Sequence, residues 1–427
     1  MAGGEVSAPS KRILLLDLYK SRSRPYIQPY LYLGAFFDYL QVDYALYRWR
    51  EDEEELLEHI GDDVDYVFIN LIMGPVLGLV EPICRLIKQH HPSTKIWVGG
   101  IATLYVKDLL ERCPDIDHVS LGHPRRDPDG FVQELYAHGI VKRSPTKKKH
   151  FPPLVTNRHI TSFMHQHLRG DERINAIYMS TSSGCHHRCA FCYLARTKGW
   201  QQPLDCLFKD LASLQQSHAI RYFEFADDNF TSNRRRLRAF CERASRSDLD
   251  LSYFCLASVD TLDAETLDMM VTSGLKRLYI GVDAIHNDRI QQLGKSYRSR
   301  SAFETVELVQ SYPLDLTLAV VLGSHGETRE QIQALYDWVK SIAPAFCTAA
   351  FLTPYPDTPT YYQAIELGFK PPDTLPGWAA IADWERPKPF LNPSIDVAEY
   401  HEWQRRFFAL STQQYRSGIG ESVRRLE

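Results

Sequence analysis

Three cysteines that lie within eight residues are the part of this sequence best suited to chemistry. Cys185, Cys189 and Cys192 stand in "TSSGCHHRCAFCYLAR", at spacings of four and three. Thiolates bind soft metals, and a four-iron cluster normally takes four cysteines. Three thiolates on one short loop therefore predict an iron–sulfur cluster in which one iron keeps an open coordination position for a substrate or cosubstrate.

A zinc site is the alternative interpretation of the same loop, with His186 or His187 as the fourth ligand. Zinc sites favour two ligand pairs separated by a long insertion, and no second pair of that kind stands out in the sequence. The remaining six cysteines are scattered singly and are typical of small buried hydrophobic residues. They are Cys84, Cys113, Cys206, Cys241, Cys255 and Cys347.

Bulk composition describes an ordinary globular protein of more than one domain. The chain has 427 residues, 44% of them hydrophobic, which is too long for one compact core. Its formal charge of −4 gives no reason to expect nucleic acid or a membrane surface as a partner. Nine cysteines, an odd number, and the absence of an apolar leader or membrane-length segment favour reduced thiols and a cytoplasmic location.

The elements that must position the cysteine loop come in two series. In the first, the apolar runs "RILLLDLY", "YVFINLI" and "KIWVGG" alternate with helical stretches such as "LVEPICRLIKQHHP". This alternation predicts a doubly wound, Rossmann-like parallel sheet that binds ligands at the carboxyl ends of its strands. Gly99 and Gly100 follow the third run, where the backbone can approach a ligand closely or simply turn.

The second series contains six strand–helix units, and the cysteine loop follows its first strand. Its candidate strands are "AIYMSTS", "YFEFADD", "LSYFCLASVD", "RLYIGVD", "LTLAVVLGS" and "FCTAAFLTPYP". The helices between them include Ala264–Thr272, with Asp263 as its N-cap, and Thr328–Ile342. Six units are two short of a closed barrel, so we expect an open, partial (β/α)6 TIM-type barrel with its chemistry at the carboxyl ends of the strands.

These two series define the predicted domains. Residues 1–140 form the Rossmann-like domain, and residues 141–170 form a linker that is basic and proline-rich around "VKRSPTKKKHFPPL". Residues 171–364 form the partial barrel. Residues 365–427 form a helical extension, whose aromatic face in "IDVAEYHEWQRRFFALSTQQYRSG" is expected to pack on the barrel rather than bind a cofactor.

The cysteine spacing and several further segments resemble the radical S-adenosylmethionine (SAM) superfamily. The pattern Cys-x3-Cys-x-aromatic-Cys after the first strand is similar to that family's cluster motif. The subgroup with an N-terminal cobalamin-binding-type domain is resembled by four segments: "EFADDNFTSN", "LASVDTLDAETLDMMVTSGLKRLYIGVDA", "VLGSHGETREQI" and "LTPYPDTP". The resemblance implies a [4Fe-4S] cluster on the three cysteines, which cleaves SAM reductively to a 5′-deoxyadenosyl radical that abstracts hydrogen from a substrate.

The resemblance also implies where SAM binds. Asp227 and Asp228, at the end of the second strand, are expected to receive its ammonium group, and Asp283 is expected near the ribose. Gly323 and Glu327 are expected beside the adenine. Ser258 occupies a cosubstrate position where relatives commonly carry arginine, and Ala284 one where they carry serine, so the contacts to SAM differ from the usual ones.

Two functional questions stay open at this point. The cobalamin histidine motif Asp-x-His-x-x-Gly is absent after the first strand, which reads "DLYKSRSRP", and "GHPRRDPDG" replaces a turn common in relatives. Since relatives can hold cobalamin without that histidine, cobalamin stays open as a cofactor. No catalytic hydrogen donor is assigned, because Cys255 is expected to face the helices and Cys347 to lie near the start of its strand.

Four functions are compatible with the sequence. The leading hypothesis is a radical SAM enzyme that modifies a small molecule in specialised metabolism by rearrangement, cyclisation or elimination. The others are a cobalamin-dependent radical methyltransferase, an enzyme transferring the 3-amino-3-carboxypropyl group of SAM to a soft acceptor such as arsenic(III), and a non-catalytic redox sensor. The expected partners are a small-molecule substrate and a flavodoxin- or ferredoxin-type electron donor, without nucleic acid or a membrane.

Overall fold

The computed structural model describes residues 12–18, 28–121, 124–141, 152–169, 172–196 and 199–412. Within it the chain divides into two compact units. The first contains the N-terminal strand, Ile27–Ser162 and a short later segment, Pro372–Ala380. The second contains Phe163–Pro371 and the chain from Ile381 onward.

The first unit is built on a five-stranded parallel sheet with helices between its strands. Its strands are β1 (Arg12–Asp17), β2 (Asp43–Arg48), β3 (Tyr66–Asn70), β4 (Lys95–Gly99) and β5 (His118–Val119), in the order β2-β1-β3-β4-β5. Its helices are α1 (Gln28–Tyr39), α2 (Glu53–Ile60), α3 (Leu77–His90), α4 (Thr103–Glu111) and α5 (Pro128–Ala137). The strand order reverses between β1 and β3, which is where such sheets form a ligand crevice. The predicted Rossmann-like fold is confirmed.

Burial explains why this sheet forms. Ile13 to Leu16 of β1 are completely buried, as expected for a strand that is paired on both edges and covered on both faces. Strand β2, "DYALYR", was not among the predicted strands, because only half of its residues are strongly apolar and it forms the edge of the sheet.

The second unit is built on a seven-stranded sheet. Its principal strands are β6 (Met164–Arg169), β7 (Glu172–Met179), β10 (Ile220–Phe225), β11 (Ser252–Ala257), β12 (Leu275–Gly281), β13 (Asp315–Leu322) and β14 (Phe346–Phe351), with a two-residue ribbon of β8 (Ser182–Ser183) and β9 (Trp200–Gln201) after β7. Its helices are α6 (Leu204–His218), α7 (Arg234–Arg246), α8 (Ala264–Thr272), α9 (Asn287–Gln292), α10 (Ser299–Gln310), α11 (Arg329–Ile342), α12 (Pro359–Glu366) and α14 (Val397–Phe408). Helix α13 (Leu375–Ile381) lies almost entirely in the segment Pro372–Ala380 of the first unit.

The sheet order, β14-β13-β12-β11-β10-β7-β6, is that of an open barrel. All six strands from β7 to β14 are parallel to their neighbours, and β6 alone is antiparallel, paired with β7. The predicted partial barrel of six units is therefore confirmed. Strand β6 lies inside the segment 141–170 that the sequence suggests is a linker, and the lysine-rich part of that segment lies outside the described residues.

Strand β10 shows how the two faces of the barrel sheet differ. Phe225 packs edge-to-face on Phe240 of α7, at 5.7 Å between ring centroids, so this face is covered by helices. On the other face, Tyr222 stacks on His167 of β6 at 3.7 Å, and His165 approaches Glu224 at 3.4 Å. Burial, with the charge of Arg277 adding to it, lowers the pKa of His167 to about 4. The inner face thus carries titratable groups that are neutral or paired.

Helix boundaries agree with the capping signals in the sequence. The carboxylate of Asp263 accepts a hydrogen bond from the backbone N–H of Thr266 at 2.8 Å, which begins α8 as predicted. Thr328 and Gln331 form a reciprocal capping box at the start of α11. Helix α14 packs on the barrel through Tyr400, whose ring lies 5.7 Å from that of Phe351 in β14. In the described part of the chain, no helix is long and apolar enough to cross a membrane.

Candidate active site

The two adjacent acids after β10 hold the strand that leads into the cysteine loop. Asp227 is almost fully buried and accepts three hydrogen bonds, from the backbone N–H and hydroxyl of Thr181 and from the hydroxyl of Ser182, at 2.5 to 2.7 Å. Burial raises the pKa of Asp227 even though these donors oppose the rise. Asp228 accepts from the N–H of Gly184 at 2.6 Å, one residue before Cys185. The acid pair thus fixes the entry to the cysteine loop.

Cys185 lies against a group of neutral hydrogen-bonding side chains. The amide of Asn229 donates to the Cys185 sulfur at 3.6 Å and to the hydroxyl of Ser258 at 2.9 Å. Thr231 in turn donates to the Asn229 carbonyl oxygen at 2.9 Å, which orients that amide. Ser258, noted from the sequence as an altered cosubstrate position, therefore lies one hydrogen bond away from Cys185.

His187, between the first two cysteines, is held by oxygen atoms on both ring nitrogens. Its Nε2 lies 3.0 Å from the Ser258 hydroxyl and 3.1 Å from the Asp260 carboxylate, and its Nδ1 lies 3.2 Å from the Ser296 hydroxyl. Burial alone would raise the pKa of Asp260, but hydrogen bonds from His187 and Ser296 lower it well below its usual range. A histidine whose two nitrogens are both engaged is poorly placed as a metal ligand.

Cys185, His186 and His187 nevertheless present a sulfur and two ring nitrogens within 4.8 Å of one another. The imidazole of His186 is about half exposed and lies 4.0 Å from Asp260. Because both ring nitrogens of His187 contact other residues, only Cys185 and His186 of this set remain as ligands for an ion. A structural zinc site takes four ligands. The donor chemistry of the loop fits a thiolate-bound cluster better than zinc.

Cys189 lies in a different environment from Cys185. Burial raises the pKa of the Cys189 thiol, and the nearby ammonium group of Lys295 opposes that rise. Lys295 also forms an ion pair with Asp283, at the end of β12. Burial disfavours the charged ammonium, but Asp283 and Cys189 outweigh it and raise the pKa of Lys295 far above its usual value.

Backbone contacts fasten the middle of the cysteine loop. The N–H of Ala190 donates to the carbonyl of Leu293 at 2.9 Å, and the carbonyl of Ala190 accepts from the N–H of Thr360 at 3.0 Å. Gly294 has a left-handed backbone (φ +65°), and a β-carbon there would lie 3.0 to 3.1 Å from the backbone of Arg188 and Ala190. Only glycine allows this approach without strain.

Gly323 and Glu327 form a closed turn after β13. The N–H of Gly323 donates to the Glu327 carboxylate at 2.7 Å, and Gly323 has φ +84°. Burial raises the pKa of Glu327 to about 7. The hydroxyl of Tyr400 lies 3.4 Å from the same carboxylate. The carboxyl group of Glu327 is therefore engaged in shaping this turn, and the backbone of the turn is what remains for a ligand.

The structure brings most of the sequence-predicted residues to one end of the barrel. Asp227, Asp228, Ser258 and Asp283 surround the cysteine loop through the contacts given above, and Val321 of β13 donates to the Asp283 carbonyl at 3.4 Å, which places the Gly323 turn on the neighbouring strand. Sequence analysis did not single out Asn229, Asp260, Ser296 or Lys295, and it considered His187 only as a zinc ligand. Single polar residues on loops carry no spacing signal, so only their approach to the cysteines in space identifies them.

The two cysteines considered as hydrogen donors are placed away from this end. Cys255 is fully buried, and the neighbours that raise its pKa, after burial itself, are Asp227 and Cys241 of α7. Cys347, near the start of β14, is also buried, and its N–H donates to the hydroxyl of Ser411 at 3.0 Å. Neither position offers a thiol to the cysteine loop.

The carboxyl edge of the first unit's sheet includes several small residues. Gly99 ends β4 and Gly100 follows it, Ser120 follows β5, and Gly74 lies in the turn after β3. A β-carbon on Gly74 would meet nothing within 4 Å, so this turn is open. Among the described residues that end the five strands or directly follow them, none is a histidine.

Comparison with known proteins agrees with this geometry. Residues 179–339 match the family described as the radical SAM superfamily. An uncharacterized methyltransferase from Pyrococcus horikoshii is 26% identical over 306 residues, which is 66% of each chain. The anaerobic magnesium-protoporphyrin IX monomethyl ester cyclase from Rubrivivax gelatinosus is 21% identical over 375 residues, covering 81% of this chain and 66% of that relative.

A solved structure matches both units in fold. TsrM from Kitasatospora setae, a radical SAM methyltransferase determined with cobalamin and a [4Fe-4S] cluster bound, aligns with a TM-score of 0.67 and 15% sequence identity, covering 94% of this chain and 89% of that one. The present chain spans about two thirds of the length of the two curated relatives named above.

The class of protein follows from these observations. A partial barrel with three cysteines on the loop after its first parallel strand is a radical SAM domain, and this protein is a radical SAM enzyme. Residues 179–339 belong to the radical SAM superfamily, and the chain is similar in fold to TsrM. A [4Fe-4S] cluster and SAM are the cofactors that this domain implies.

Proposed function

We propose that this protein is a cobalamin-dependent radical SAM methyltransferase that acts on a small molecule. The observation that supports the proposal is that one chain contains both a barrel with a three-cysteine loop and a parallel sheet of order β2-β1-β3-β4-β5. This chain aligns with TsrM over 94% of its length. The methyltransferase from Pyrococcus horikoshii supports the same direction. We further propose a role in specialised metabolism.

The chain's own residues divide this work between them. Cys185, Cys189 and Cys192 would hold the cluster, and Asp228 is proposed to meet the ammonium group of SAM. Asp227 serves the same end indirectly, since its three hydrogen bonds fix the segment before Cys185. When bound, the cluster supplies low-potential electrons to SAM and cobalamin carries a methyl group.

The remaining predicted cosubstrate residues differ in how they can contribute. Ser258 is proposed to act through Asn229 on Cys185. The turn at Gly323, whose own amide is bonded to Glu327, can offer adenine only other backbone groups and an apolar surface. Phe351 forms part of that surface, since a β-carbon on Gly323 would lie 3.9 Å from its ring.

Cobalamin is proposed to bind at the carboxyl edge of the first unit's sheet. A β-carbon on Gly74 would meet no protein atom within 4 Å, so a ligand can approach this turn without meeting a side chain. Because no described residue at the strand ends is a histidine, the corrin would bind without a histidine ligand from these positions.

A second candidate function is the radical cyclisation or rearrangement of a small molecule, favoured by the similarity to the cyclase from Rubrivivax gelatinosus along 81% of this chain. It uses the same cysteine loop but needs no methyl carrier. The two functions therefore make different demands on the first unit and give different products from SAM.

The test is product analysis on anaerobic protein made with cobalamin present. A methyltransferase should purify with a corrin absorption band, and protein given SAM labelled in its S-methyl group should release S-adenosylhomocysteine and transfer the label to the corrin fraction. Formation of 5′-deoxyadenosine alone, without a corrin band, would instead support the cyclase. Methylthioadenosine would indicate 3-amino-3-carboxypropyl transfer, and the absence of any nucleoside product would indicate a redox sensor.

A further inference from the structure

Lys295 is a buried cation in direct contact with the cysteine loop. Its side chain is 16% exposed, and its ammonium group forms an ion pair with Asp283, whose side chain is 7% exposed. The same ammonium is near enough to the Cys189 thiol to oppose the rise in its pKa, and it lies 5.4 Å from the centre of the Phe191 ring. One cation therefore meets a predicted cluster ligand, an acid and an aromatic ring inside the loop.

The position of Lys295 is set by the backbone before it. Gly294 packs against Arg188, Cys189 and Ala190 so closely that a β-carbon would lie 3.6 Å from the Cys189 α-carbon and nearer still to its neighbours. Leu293 accepts the hydrogen bond from Ala190. The residues just before Lys295 are therefore held against the cysteine loop by main-chain contacts.

A purely structural role explains this arrangement poorly. Taking an ammonium and a carboxylate out of water is costly, and a buried ion pair is often replaced by apolar residues without loss of stability. A pair retained beside a metal-binding thiol has another use, because groups around a cluster ligand tune both its position and the cluster's reduction potential.

The contrast with Cys185 points the same way. Cys185 receives a hydrogen bond from the neutral amide of Asn229, whereas the neighbour that acts on Cys189 is the charged ammonium group of Lys295. The three-thiolate site is anionic, and each added electron makes it more so, which a nearby ammonium favours and a nearby carboxylate opposes. Lys295 and Asp283 therefore act on the cluster with opposite signs.

We propose that Lys295 is a positioning residue that holds the Cys189 thiolate and raises the cluster's reduction potential, and that Asp283 acts through Lys295 rather than by binding the ribose of SAM. Asp283 limits how strongly the ammonium acts and keeps it directed at Cys189. This inference rests on the radical SAM cluster of the proposed function, but not on cobalamin or on methyl transfer.

The experiment is an electron paramagnetic resonance-monitored redox titration of the reconstituted full chain, without SAM, cobalamin or substrate. Lys295→Met should shift the midpoint potential to more negative values and Asp283→Asn to more positive values, while the double variant should fall between the two. Lys295→Arg should stay close to the wild type. Failure of methyl transfer would leave this result readable, because no turnover is measured.

The matched control is Lys388→Met, which removes another buried lysine of the same unit, one whose ammonium donates to the carbonyls of Asp383 and Arg386. It should leave the potential unchanged. If Lys295→Met loses the cluster, its potential cannot be measured. A more positive midpoint potential in Asp283→Asn, together with a retained cluster in Lys295→Arg, would then still support the proposal. Unchanged potentials, or shifts of one sign in both single variants, would overturn it, as would a loss of SAM affinity in Asp283→Asn at an unchanged potential.

Discussion

The residues at the carboxyl edges of the two sheets differ in charge and in hydrogen bonding. At the barrel edge, charged side chains are bonded to one another or to the cysteine loop, as Asp227, Asp260 and the Asp283–Lys295 pair show. At the edge of the first unit's sheet, β4 ends in Gly99, the turn at Gly74 follows β3, and Asp17 forms an ion pair with Arg48 at 2.8 Å. The barrel edge thus gathers bonded charges around one loop, whereas the other edge includes a turn at which a β-carbon would meet no protein atom within 4 Å.

This difference indicates two kinds of recognition. Prearranged charges and hydrogen bonds suit a small, charged ligand whose reaction moves electrons, because they need no reorganisation when the charge changes. Bare backbone suits a large ligand that is held by shape and by many weak contacts. The comparison predicts that substitutions at the barrel edge act through chemistry, whereas those at the other edge act through fit.

The largest expected effect is loss of the cluster. Replacing Cys185, Cys189 and Cys192 together by alanine should abolish iron and acid-labile sulfide in the anaerobically reconstituted protein, because no thiolate of the loop remains. The measurement is iron and sulfide per chain together with the absorption spectrum. Cys206→Ala, on α6, is the control and should retain the cluster. Wild-type protein that holds only zinc would contradict the radical SAM assignment of the loop.

Fit at the other edge is tested with Gly74→Trp. Because a β-carbon there would meet no protein atom within 4 Å, the backbone accepts a side chain, and an indole would occupy space proposed for the corrin. Corrin affinity should fall about tenfold or more, equivalent to about 1.4 kcal/mol, with no change in cluster content. Tyr136→Trp, at an exposed position on α5, is the matched control.

Gly100→Ala separates fit from folding at the same edge. Gly100 has φ +104°, and a β-carbon would lie 2.4 Å from the carbonyl oxygen of Leu71, so alanine should destabilise the first unit by about 1–3 kcal/mol. If Gly74→Trp instead lowers the melting temperature as much as Gly100→Ala does, the turn at Gly74 is part of the fold rather than a ligand surface.

Fixed charge at the barrel edge also predicts a pH dependence of stability. The pKa of Glu327 is raised by burial to about 7, above its unfolded value of 4.5, so the folded state binds the proton more tightly. Stability from this group is therefore full below pH 4.5 and lost as the pH rises to about 7, by up to about 3 kcal/mol. Denaturant unfolding between pH 5 and 8 should show this slope in the wild type.

Glu327→Gln should remove that slope, because the amide keeps the shape of the neutral acid and cannot ionise. The control is Glu330→Gln on the same helix start, where the carboxyl is exposed and its pKa is lowered rather than raised. An unchanged slope in Glu327→Gln would show that Glu327 ionises without cost in the folded protein.

A pair of substitutions distinguishes the roles of the two adjacent acids. The carboxylate of Asp227 accepts hydrogen bonds from one backbone N–H and two hydroxyl groups. An asparagine amide has only one oxygen acceptor for these three donors, so Asp227→Asn should lower the free energy of unfolding by about 1–3 kcal/mol. Asp228→Asn keeps an oxygen for the N–H of Gly184 and should leave stability unchanged while weakening SAM binding. Equal losses of stability in both variants would assign both acids to folding.

Sequence alone predicted the elements that repeat and missed those that occur once. The alternation of apolar strands and amphipathic helices was sufficient for the three central strands of the first sheet and the six parallel strands of the second. Asp263 and Thr328 could be predicted as helix caps because capping depends on neighbours in sequence. Strand β6 was missed because its sequence, "MHQHLR", carries two histidines on the inner face of the barrel in place of apolar residues.

The candidate site shows the same limit. Three cysteines at fixed spacing predict a metal site, and a pair of acids after a strand predicts a polar ligand-binding site. Lys295 lies 103 positions after Cys192, with Gly294 as its only local signal, and Asp283 gives no hint that its partner is a cation. Their juxtaposition depends on how β12 and the turn after α9 approach the loop, which no local pattern encodes.

The main-chain fastening of Ala190 has a consequence for how this enzyme family can diversify. Both hydrogen bonds at Ala190 join backbone groups, one to Leu293 and one from Thr360. They therefore do not depend on which side chains stand between the cysteines. Evolution can therefore substitute the residues between the cysteines without moving the thiols. A saturation mutagenesis library at these positions should contain folded, iron-loaded variants with different reactivity.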